Sequence, residues 1–213
     1  MNMVGILIIG VLVVLVVVML ARFRELSQRG RFLRWTGFWL MALFAVIFGV
    51  FIAAETVNDP GGWKAVGLVA LWLVPLVALC LVAWLRSNWA GWILVPLVGV
   101  AVGVSIWFAL DPVAWRSFEN QNGPVRVVMI FVLSGPLALW GLRRAMQAGA
   151  MLVIIGVLPM LIAGAVGRGG MSSLAVASFA PLVTGLLYLS AAYLDRQVPP
   201  PGEVASPANP KAA

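Results

Sequence analysis

The fold class this sequence predicts is an all-α, polytopic transmembrane helical bundle of about seven spans, and three observations predict it. Of 213 residues, 63% are apolar and 10% are charged, against roughly 25% charged in an ordinary soluble domain. Mean hydropathy is +1.07. The apolar residues gather into long uninterrupted stretches, and the cations cluster in every second loop between them. Lipid is therefore the expected solvent for most of the chain.

A helix needs about 20 mostly apolar residues to cross a bilayer. Seven stretches qualify: 4–21, 35–54, 65–85, 90–110, 125–142, 149–167 and 173–194. Residues 11–18 are rich in Val, which favours strands, but apolar runs this long without alternation fit helices. A helix satisfies its own backbone where no water can. The first stretch follows residues that carry no Lys or Arg and precedes Arg22 and Arg24. That order predicts a retained helix with the N-terminus outside, not a cleaved signal peptide.

Charge sets the orientation. Arg22, Arg24, Arg29, Arg31, Arg34, Arg86, Arg143, Arg144, Arg196 and Lys211 fall on one side of the seven stretches. Lys64, Arg116, Arg126 and Arg168 fall on the other. Glu25, Asp195 and Glu203 leave the first side at +7, while Glu55, Asp59, Asp111 and Glu119 bring the second to zero. The positive-inside rule then predicts N-out and C-in. Tryptophans mark both interfaces: Trp35, Trp84, Trp89, Trp92 and Trp140 near inner ends, Trp63, Trp107 and Trp115 near outer ends. Trp39 and Trp72 lie deeper and are expected to pack between helices.

Residues 1–196 read as one transmembrane domain. From Gln197 to Ala213 the chain is rich in Pro and Ala, and it reads as a disordered cytoplasmic tail. Short loops predict antiparallel neighbours along the chain. Twelve Arg to two Lys, with much Ala, Val, Leu and Gly, suggests a GC-rich bacterial genome and a bacterial cytoplasmic membrane.

Several chemistries lack their residues. The chain has no histidine and one cysteine, Cys80. This excludes histidine-ligated haem, most zinc sites, Ser-His or Cys-His nucleophile pairs and a disulfide within the chain. No cofactor or metal is expected. No Asp, Glu, Lys or Arg lies near the centre of a span, whereas proton relays and ion paths usually require one. The serines of GRGGMSS, Ser172 and Ser173, read as N-capping residues of the last helix.

Three features could serve a function. Pro75, Pro96, Pro136, Pro159 and Pro181 each interrupt a span and leave the carbonyl four residues earlier without its helical partner. They either open a cavity, as in transporters with broken helices, or merely shape packing. Glu55, Asp59, Asp111, Arg116, Glu119 and Arg126 could form an outer polar pocket, or pair with one another and cap helix ends. In this loop Asp111-Pro112 reads as the start of a short interfacial helix carrying Trp115 and Phe118. Arg22, Arg24, Arg29, Arg31 and Arg34 could bind anionic lipid at about 1 kcal/mol per cation, besides fixing topology. Gly99 and Gly103 are four apart and read as ordinary packing within the chain.

The sequence thus favours a non-enzymatic accessory or scaffold component of a membrane complex, with lipids and a membrane-protein partner. A transporter for an apolar or lipid-like substrate is the alternative. A lipid-modifying enzyme using Asp111 or Glu119 as general base is a third.

Overall fold

The computed structural model describes residues 26–58, 62–111, 113, 117–118, 125–165 and 171–197. The expected span 4–21, the tail from 198 onward, Asp59, Arg116 and Glu119 lie outside them, as do Arg22, Arg24, Trp115 and Arg168.

Six long helices make up the described chain: α1 (Leu26–Asn58), α2 (Gly62–Leu85), α3 (Ser87–Leu110), α4 (Val125–Gly141), α5 (Ala145–Ala165) and α6 (Met171–Gln197). Among the described residues there is no strand. Five helices contain segments long and apolar enough to cross a membrane, and α4 is a shorter apolar helix of 17 residues. Each of the six lies on one of the stretches expected from sequence. The largest difference is at α1, which starts at Leu26 and not near 35. Residues 26–34 include Leu, Gln and Arg, all good helix formers, so charge ends the apolar stretch without ending the helix. Ser172 and Ser173 follow Met171 inside the first turn of α6, so they do not occupy its N-cap.

The most extensive contact joins α5 to α6, and the next joins α1 to α6. Helix α4 touches all five others, and ten of its residues are buried. At about 1.5 Å per residue it is about 26 Å long, slightly less than a hydrocarbon core. A helix at the centre of the bundle need not meet both lipid interfaces itself. At the periphery stands α2: 6% of its apolar window is buried, against 50% for α6.

Glycines set the closest approaches. On α5 and α6, a Cβ at Gly149 would lie 3.0 Å from the Gly185 carbonyl oxygen, and one at Gly156 would lie 3.0 Å from the Leu182 nitrogen. Backbones this close gain dispersion contacts, which drive helix association where lipid is as apolar as protein. An aromatic chain ties α1, α2 and α4 together. Phe44 stacks on Phe48 at 5.1 Å, Phe48 lies 5.8 Å from Phe131, and Trp72 meets Phe131 edge-on at 5.5 Å.

Candidate functional site

One end of the bundle gathers the start of α1, the turns α2–α3 and α4–α5, and the end of α6. Arg86 is the single residue between α2 and α3; its amide closes on Val82 and its carbonyl accepts from Trp89 and Ala90. The second turn, Leu142 to Arg144, is equally tight: the amides of Arg143 and Arg144 both reach the Trp140 carbonyl, at 3.1 and 2.9 Å. Two bonds lock the turns together across more than fifty residues of sequence. The Trp140 indole donates to the Ser87 carbonyl at 2.9 Å, and the Arg144 guanidinium donates to Asn88 Oδ1 at 3.1 Å. The Arg143 guanidinium lies 5.5 Å from the centre of the Trp84 ring. Arg86, Arg143 and Arg144 are all exposed, beside the exposed Trp84, Leu85, Trp89 and Trp92.

At the same end, α1 runs antiparallel to α6. Arg34 pairs with Asp195 at 3.5 Å, both partly exposed, and Gly30 leaves room for the Asp195 carboxylate. Arg29 is half-buried and Arg31 exposed. Of the five arginines expected at lipid, Arg34 therefore has an acidic neighbour on α6.

One helical turn or more inward, Tyr188 is fully buried between two glycines. A Cβ at Gly37 of α1 would meet its ring at 2.9 Å, and one at Gly141 of α4 would overlap it. The hydroxyl donates to the Ala138 carbonyl at 2.6 Å. That carbonyl is an orphan of the α4 terminus, because the Leu142 amide turns to Leu139 instead. Thr184, one turn away, faces the Gly37 carbonyl at 3.4 Å. Tyr188 and Thr184 were not singled out from sequence. Hydroxyls inside apolar spans were a partial signal: Ser105, Ser134, Ser178 and Thr184 are buried, while Ser190 is exposed.

The opposite end holds the described part of the expected outer pocket. The Arg126 guanidinium sits 5.7 Å over the Phe108 ring. Asp111 is exposed and closes α3, its amide donating to Trp107 at 3.0 Å. The short helix expected after it is represented among the described residues by Val113, Ser117 and Phe118, which are helical and exposed. Glu55 lies in the last turns of α1. A cavity of about 10 Å³, about the room of one water, opens between α3, α4 and α5 beside Ser105, Arg126, Ile155 and Pro159.

The five prolines stand inside continuous helices and do not converge. Pro75 and Pro96 face outward, while Pro136, Pro159 and Pro181 are buried. Only Pro159 among them borders the cavity. Two expectations about packing are corrected. Trp72 is buried as expected, but Trp39 is 64% exposed. The inward positions of α1 are Gly30, Leu33, Gly37 and Met41, and Trp39, two residues past Gly37, projects to the other side. Gly99 and Gly103 are exposed, and a Cβ on either meets nothing within 4 Å. They pack against no part of the described chain.

The chain matches no family model, no curated protein and no solved structure.

Proposed function

We propose that this integral membrane protein is a non-enzymatic accessory or scaffold component that receives another transmembrane helix on α3. One observation carries the reading. Where glycines serve packing inside this chain, as on α5 and α6, backbone atoms lie about 3 Å from the added Cβ positions. Gly99 and Gly103 have the spacing of a helix-docking face, yet among the described residues nothing lies within 4 Å of a Cβ on either. Pro96, Ile106 and Trp107 continue the same outward flank. A recess flanked by larger side chains lets a partner backbone approach closely.

The full topology in this reading has seven spans, the seventh contributed by residues 4–21, with the N-terminus outside and the C-terminus inside. The placement of Arg34, Arg86, Arg143, Arg144 and Arg196 at one bundle end supports it, because that end then faces the cytoplasm. The Arg-rich, Ala- and Gly-rich composition supports a bacterial cytoplasmic membrane.

Native mass spectrometry after gentle extraction tests the proposal. The wild-type chain is expected with a stoichiometric protein partner, lost in the Gly99→Leu/Gly103→Leu variant. A wild-type chain that leaves its membrane alone contradicts the reading.

A further inference from the structure

Lipid recognition was expected from the segment 22–34, but the structure assembles a second basic surface from elsewhere. We infer that the joined α2–α3 and α4–α5 turns form a binding site for the phosphate of an anionic phospholipid, centred on Arg143 and Arg144. The site does not depend on the helix-docking reading of α3.

Charge comes first. Arg86, Arg143 and Arg144 occupy two tight turns locked together by the Trp140–Ser87 and Arg144–Asn88 bonds. Among the described residues no carboxylate pairs with any of the three; Asp195 at this end pairs with Arg34. The C-terminal dipole ends of α2 and α4 oppose the N-terminal ends of α3 and α5 in the same place, so the guanidinium groups set the sign of the field.

Geometry comes second. A guanidinium presents a rigid fork of donors suited to phosphate. Arg143 is held against the Trp84 ring at 5.5 Å and Arg144 against Asn88 at 3.1 Å, so neither has to be ordered entirely at binding. Both remain exposed.

Depth in the membrane decides the source of the phosphate. Trp84, Trp89 and Trp92 surround the turns and are at least half exposed, and such tryptophans sit at the headgroup layer. An acyl chain would descend along exposed Leu81 and Leu85 of α2. Basic pockets between helix ends are known receptors for anionic headgroups, and a lipid meets both the arginines and the apolar flank where a free phosphate meets only the first.

The test uses the full chain, delipidated in detergent and titrated with phosphatidylglycerol or phosphatidylcholine while native mass spectrometry counts bound lipid. The wild type is expected to prefer phosphatidylglycerol. Arg143→Gln/Arg144→Gln should weaken that lipid about thirtyfold, taking two cations at about 1.5 decades together. Arg143→Gln alone, a milder change, should weaken it about fivefold. Arg196→Gln, at the same end but on α6, should leave binding unchanged. Full preference in the double variant, with its helical circular dichroism intact, overturns the site. So does an equal loss in Arg196→Gln, which would mean diffuse attraction, or displacement by excess inorganic phosphate, which would mean a soluble ligand.

Discussion

Replacing Gly141 by Ala asks the structure for a sign. By helix propensity alone, Ala in place of Gly stabilises a helix by about 1 kcal/mol. At Gly141 the new methyl would land on the Tyr188 ring. The ring cannot retreat, because Gly37 holds its other side, where even a Cβ would come within 2.9 Å. Its hydroxyl is also fixed at 2.6 Å from the Ala138 carbonyl. Overpacking a filled site costs about 1–3 kcal/mol, and displacing the ring forfeits a hydrogen bond worth about 0.6 kcal/mol in a membrane. The clash outweighs the propensity gain, leaving Gly141→Ala about 1–2 kcal/mol less stable than wild type. Reversible unfolding in mixed micelles, followed by circular dichroism, measures the difference. Gly99→Ala is the control: it faces open space and should be neutral or stabilised by up to about 1 kcal/mol. Equal behaviour of the two variants would refute the packing of α4 on α6 through Tyr188.

Further outcomes follow from the same contacts. Tyr188→Phe keeps the ring and loses only the hydroxyl, so it should cost about 0.6–1.5 kcal/mol by the same unfolding assay. Gly185→Leu inserts a side chain where a Cβ already lies 2.9 Å from the Gly149 oxygen and the Val153 nitrogen; it should separate α5 from α6 and lower the melting temperature more than any change at Gly103. Asp195→Asn removes a partly exposed ion pair and should cost no more than about 1 kcal/mol, diminishing further in salt.

The helices were legible in the sequence because length and apolarity suffice to mark a segment that crosses lipid. Their arrangement was not. In water, the apolar face of a helix shows which side is buried. In lipid, both sides are apolar, so nothing about Trp39 and Trp72 as residue types says that one faces outward and the other inward. The same ambiguity hid the role of α4, whose composition resembles its neighbours', and it made Gly99 and Gly103 look like Gly149 and Gly185. The hydroxyl residues were a partial guide: Ser105, Ser134, Ser178 and Thr184 are buried, but Ser190 on α6 is exposed. Charge was half legible. The loop alternation grouped the arginines by side, but not the juxtaposition of Asn88 with Arg144, which needs the two turns folded against each other.

Cysteine labelling tests the proposed topology of seven spans with the N-terminus outside and the C-terminus inside. In a Cys80→Ala background, single cysteines at Asn2→Cys, Asn120→Cys and Ser206→Cys are exposed to a membrane-impermeant maleimide in intact cells. Seven spans with the N-terminus outside give labelling at positions 2 and 120, with position 206 labelled only after lysis. Labelling of positions 2 and 206 on the same side would mean an even number of spans and would contradict that topology.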